Sequence, residues 1–104
     1  MAVIECNGEK FESVVLKSEK PVLVDFNATW CGPCRMMASV LEELSNENDK
    51  FDFVAIDVDE EQDLAAEYGV MSIPCLVVFK DGKEVIRNVG FISKEELESM
   101  LGDI

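Results

Sequence analysis

The residues best equipped for chemistry lie together in "TWCGPCRM", residues 29–36, where Cys31 and Cys34 are separated by Gly32 and Pro33 and preceded by Trp30. A pair spaced this way can be a redox couple, half of a metal site or a short structural staple. A structural zinc site usually takes four ligands, often as two C-x-x-C pairs. This chain has one such pair and no histidine, and Cys6 and Cys75 stand isolated. As a staple, a loop this short constrains the unfolded chain by only about 2 kcal/mol. The redox reading is the strongest of the three.

Position strengthens that reading. The pair falls where an apolar strand pattern gives way to a helical one, which sets Cys31 at a helix N-terminus, where unpaired amide groups stabilise a thiolate. Pro33 is tolerated in a first turn, and Gly32 leaves room for close approach. Cys31 is the expected nucleophile and Cys34 the expected resolving thiol. Lowering a thiol pKa from about 8.5 to about 7 raises the thiolate fraction at neutral pH roughly 16-fold, but lower nucleophilicity takes back roughly fivefold. The larger gain therefore lies in Cys34, whose attack on a mixed disulfide is intramolecular.

The elements around the pair alternate. "KPVLVDF" (20–26) and "FDFVAIDV" (51–58) are short runs rich in β-branched and aromatic residues, as in strands covered on both faces. Between them Cys34, Met37, Ala38, Leu41 and Leu44 form one face of a crossover helix, long enough to join parallel strands. "VIEC" predicts a first strand, and Phe11, Val14 and Val15 the apolar face of a first helix. A short helix through "EEQDLAAEY" stops at Gly69. "CLVVFKDGKEVIRNVG" reads as an antiparallel hairpin around Asp81-Gly82, and "SKEEL" places a capping box at Ser93 and Glu96 before a terminal helix buried through Leu97, Met100 and Leu101. The order β-α-β-α-β-α-β-β-α predicts an α/β fold with a mixed sheet, parallel and antiparallel, flanked by helices.

At 104 residues, one domain spanning 1–104 is expected. "MAVIECNGEKFE" carries no secretory pattern and no apolar stretch approaches bilayer length, so no membrane association and a cytoplasmic location are expected. The net charge of −13 opposes binding to nucleic acid and anionic membranes and favours neutral or basic protein partners. Acid is uneven, with 9 acidic against 5 basic side chains in residues 1–50 and 13 against 4 in 51–104. The densest run, "DVDEEQDLAAE" (57–67), reads as a solvated strand-to-helix turn whose carboxylates favour the positive end of a helix dipole.

The segments "VLVDFNATWCGPCRMMASVLEEL", "FVAIDVDEE", "YGVMSIPCLVVFKDGKEV" and "VGFISKEELESML" together resemble the thioredoxin family over nearly the whole chain. That resemblance implies the thioredoxin fold and a dithiol–disulfide oxidoreductase that reduces protein disulfides, is recharged by a thioredoxin reductase, binds no cofactor or metal, and is a monomer. It makes Cys31–Cys34 the redox-active disulfide, Asp25 a buried proton acceptor, Ile73-Pro74 a cis peptide and Gly90 a substrate-facing glycine. Asp25 also stands out unaided, because a carboxylate inside an apolar strand is expensive to bury charged and burial raises its pKa. Trp30, beside Gly32 and Pro33, is read as part of an apolar contact surface around Cys31. Four positions depart from the family pattern: Asn27 for a common aromatic, Ser39 for a proline, Ala55 for a lysine often paired with the buried aspartate, and Cys75 for a threonine. Cys75 is read either as a buried small hydrophobe or as a third thiol beside the pair.

Overall fold

Strand β2 (Val22–Asn27) is apolar on both faces except at Asp25 and its last residue Asn27, and its first five residues are buried. It is accordingly covered on both sides. The computed structural model, which describes residues 3–104, places before it β1 (Val3–Glu5) and α1 (Gly8–Phe11), the latter continued by a π-helical turn over Glu12–Leu16. After it come α2 (Gly32–Glu47), β3 (Asp52–Asp57), α3 (Gln62–Glu67), β4 (Cys75–Lys80), β5 (Lys83–Val89) and α4 (Lys94–Gly102). The sheet order is β1-β3-β2-β4-β5. β3 runs parallel to both β1 and β2, whereas β4 is antiparallel to β2 and to β5.

Strand alternation divides the core into two layers. Val22, Val24 and Phe26 of β2 pack with Val54, Ile56, Cys75, Val77 and Phe79 under Phe11, Val15 and Leu64, the face covered by α1 and α3. On the other face Leu23, Phe53, Leu76 and Val78 pack against Met37, Leu41 and Leu44 of α2 and Leu97 and Leu101 of α4. Ala38 is exposed, so the buried stripe of α2 is narrower than the sequence spacing implies and the small side chain lies beyond its edge. α2 runs through Ser39 without interruption.

The hairpin turn has φ 53° at Asp81 and 79° at Gly82, positive at both central residues as a two-residue type I′ turn requires. Arg87 of β5 donates to the carbonyls of Tyr68 (2.7 Å) and Gly69 (3.5 Å) and pairs with Glu84, tying the edge strand to the end of α3. Lys94, at the start of α4, bridges to Glu43 and Glu47 of α2. Among the described residues no helix is long and apolar enough to cross a membrane.

Ser93 caps α4: its Oγ accepts the Glu96 N–H at 3.2 Å and donates to Oε1 of Glu96 at 2.9 Å. Ser93→Ala is expected to cost about 1 kcal/mol and lower Tm by about 4–8 °C, read by reversible thermal unfolding.

Candidate active site

β2 leads through Ala28-Thr29-Trp30 directly into α2, and that junction holds the cysteines. Cys31 is the N-cap of α2, with extended backbone (φ −89°, ψ 115°), and Pro33 falls in the first turn. The Sγ of Cys31 accepts the Cys34 backbone N–H at 3.2 Å, so sulfur takes the part that a Ser or Asp oxygen usually plays in a cap. Cys31 and Cys34 are joined as a disulfide with their Cα atoms 5.2 Å apart. Both are buried, in a small cluster with Ala28 against which Val58 and Ile73 pack. Helix dipole and orphan amide alike favour negative charge on the Cys31 sulfur once the bond is reduced.

Asp25 is only 2% exposed. By alternation with Leu23 it projects from the sheet face that α2 covers. Its register neighbours are Ala55 on β3 and Leu76 on β4, neither of which bears charge. Oδ2 accepts a 3.1 Å hydrogen bond from Nδ2 of Asn27, while Oδ1 is buried without a partner among the described residues. Burial drives the Asp25 pKa up from its ordinary 3.8 to about 6, and the Asn27 hydrogen bond pulls in the opposite direction. A water-facing Asp25 is thereby excluded.

The remaining expected site residues lie on three chain segments. Trp30 is 68% exposed and donates its indole N–H to Oδ2 of Asp59 at 2.7 Å. It is therefore no core residue. Gly32 and Pro33 stay at the surface, Ile73 is half-buried against the cysteines, and Pro74 is buried. The Ile73–Pro74 bond is cis. Gly90 has φ +94°, a conformation L side chains rarely adopt, and donates its N–H to the Pro74 carbonyl at 2.8 Å. Met71 and Phe91, on the same two loops, are exposed.

The four cysteines do not converge. Cys6 and Cys75 are free and buried in the layer beneath α1 and α3, apart from the Cys31–Cys34 cluster. Burial pushes the Cys75 thiol up, the nearby Arg87 lowers it in part, and Glu84 and Asp25 add to the rise. Cys75 thus packs as a buried side chain of that layer. Among the described residues no three Cys, Asp or Glu side chains gather as a metal-holding group.

Two site contacts escaped the sequence. Asp59, read within a solvated acidic run, orients Trp30. The parallel register of β2 and β3 could have revealed it, since both strands end level at Asn27 and Asp57. Asn27 was noted as a departure, yet its contact with Asp25 depends on a side-chain rotamer. The rest of the acidic run is only partly as read. The Asp57 carboxylate accepts the Asp59 and Glu60 N–H groups within the turn, and Glu61 accepts the Gly8 N–H at the start of α1 rather than capping its own helix α3.

A mixed sheet whose first long strand carries a buried carboxyl and delivers a disulfide to a helix N-cap defines a dithiol–disulfide oxidoreductase. A model of the family described as Thioredoxin matches residues 2–103, and the chain belongs to that family. It is 51% identical over 102 residues to the thioredoxin of Bacillus subtilis (strain 168), covering 97% of this chain and 96% of the relative. The thioredoxin of Staphylococcus epidermidis (strain ATCC 12228 / FDA PCI 1200) gives the same identity and coverage. That of Alicyclobacillus acidocaldarius subsp. acidocaldarius is 48% identical over 90 residues, 86% of each chain. The protein has thioredoxin function: it is a protein disulfide oxidoreductase whose partners are, in general terms, a reductase and disulfide-bearing proteins.

A raised carboxyl pKa means that the folded state holds this proton more tightly than the unfolded chain. Asp25 thus contributes stability that is full below about pH 4 and lost as pH rises through about 6. The loss is on the order of 3 kcal/mol. Asp25→Asn is expected to unfold at higher temperature than the parent at pH 7–8, with the gain shrinking toward pH 4. An equal Tm difference at both ends of that range would contradict a buried titrating carboxyl.

Proposed function

We propose that Cys31 is the attacking thiolate, Cys34 the resolving thiol and Asp25 the internal base of this oxidoreductase. The observation carrying the assignment is the Cys34 N–H donated to the Cys31 sulfur at the N-cap of α2, which favours charge on that sulfur. In the reduced protein the Cys31 thiolate attacks one sulfur of a target disulfide, and the other target sulfur leaves as a thiolate. The mixed disulfide then holds Cys31 to the target. The Cys34 thiol gives its proton to the Asp25 carboxylate, attacks the Cys31 sulfur and releases the second target sulfur. Two electrons pass to the target and the Cys31–Cys34 disulfide remains. A thioredoxin reductase returns two electrons, and no cofactor is needed because the electrons reside on the sulfurs throughout.

Trp30, Gly32, Pro33, Ile73, Pro74 and Gly90 form the surface on which the target chain lies. The support is their place on the loops that meet over the pair and the apolar character of Trp30 and Ile73. A net charge of −13 suits targets with neutral or basic surroundings. The chain acts as one monomeric domain in the cytoplasm, where Cys6 and Cys75 persist as the free thiols seen here.

Insulin reduction tests the assignment. Cys31→Ser is expected to abolish turnover, whereas Cys34→Ser accumulates a mixed disulfide that mass mapping places on Cys31. Turnover of insulin by Cys31→Ser would reverse the two roles.

A further inference from the structure

Asp25 is held from an unusual quarter. The Asn27 amide donates both to Oδ2 of Asp25 and, at 3.5 Å, to its backbone carbonyl, so one side chain fastens the carboxyl against its own strand. Asn27 is itself fixed, because its carbonyl accepts the Val58 N–H at 2.8 Å. It is half-buried, and its other side lines a cleft of about 460 Å³ at the ends of β1, β3 and β2. Ala55 forms part of the same lining and is the register partner of Asp25 on one side and of Glu5 on the other. The side chain that holds the carboxyl and its register partner on β3 thus both line an open cleft.

We propose that Asn27 is a positioning residue for the buried acid: it clamps Oδ2 of Asp25 and leaves Oδ1 as the oxygen that takes the proton. The proposal rests on the reading of Asp25 as internal base. An amide N–H donated to a carboxylate favours the anion, so Asn27 keeps Asp25 able to accept a proton near neutrality despite its burial. The ionisable groups on the neighbouring elements are carboxyls and thiols. Asp57 of β3 lies beside Asn27, Cys75 of β4 is one residue from the register partner Leu76, and Cys34 begins the helix above. Glu5, Glu60 and Glu61 line the cleft. That lining holds no basic side chain, and of its polar groups Asn27 is the one that donates a hydrogen bond to the Asp25 carboxyl.

The test is a carbon-13 titration of the Asp25 carboxyl together with the pH profile of mixed-disulfide resolution, in the parent and in Asn27→Leu, Asn27→Ala and Asn27→Gln. Losing the donor is expected to raise the Asp25 midpoint by about one pH unit in Asn27→Leu and Asn27→Ala. The acid limb of resolution moves with it, so the rate at pH 6 falls about fivefold. Asn27→Gln, which keeps the amide, is expected to move both less. Circular dichroism and reversible unfolding identify any variant that loses the fold, and two truncations of different size keep the test available. An unmoved Asp25 midpoint in a folded truncation overturns the clamp, while Asp25→Asn still slowing resolution would leave the base assignment standing. A midpoint that moves with no change in the resolution profile, or an Asp25→Asn variant that resolves at the parent rate, upholds the clamp in the first case and overturns the base assignment in both.

Discussion

Everything at this site depends on a strand whose first five residues are buried. β2 lies between β3 and β4 in the sheet and between two helical layers above and below it. A side chain on those five positions meets protein in every direction, so a carboxyl there ionises only at a cost. The same strand runs straight into the N-cap of α2. Its packing thus sets the positions of both Asp25 and Cys31, and neither can shift without repacking Leu23, Val24 or Phe26, all of which are buried.

The two sulfurs and the carboxyl use opposite electrostatic devices. At Cys31 the open amides of a helix end favour negative charge, whereas at Asp25 the absence of water disfavours it. One fold thereby holds a carboxyl whose ionisation burial opposes and a helix-end sulfur whose anion the dipole favours. In the mechanism proposed above, environments that differ in this way let proton transfer and nucleophilic attack proceed at the same pH. With a methyl at Ala55, the carboxyl is met by the Asn27 amide, a polar group without net charge.

Much of this was legible in the residues themselves. Alternating runs and crossover spacing read out the element order, Asp81-Gly82 the hairpin and Ser93 with Glu96 the cap, because each is encoded within a few neighbouring positions. The burial of Asp25 followed from its place in an apolar strand. What escaped depends on contacts between distant segments or on rotamers. Glu61 reaches Gly8 across 53 residues, and Asp59 meets Trp30 across 29. Ala38 fits the helical period and yet is exposed, because a period locates the middle of an apolar stripe more sharply than its margin. The side of the sheet taken by Cys75, in the layer beneath α1 and α3, likewise required the strand register.

The outermost strand also acts as a splint. Arg87 of β5 grips the carbonyls of Tyr68 and Gly69, and Gly90, just beyond β5, holds the carbonyl of Pro74. These two fastenings bracket residues 70–73, which include the Ile73 that packs on the cysteines. Peeling β5 from β4 would release both ends of that loop together, although neither end belongs to the strand. The hairpin margin and the rim over the disulfide consequently share one mechanical fate, and amide exchange in the loop should report fraying at the edge of the sheet.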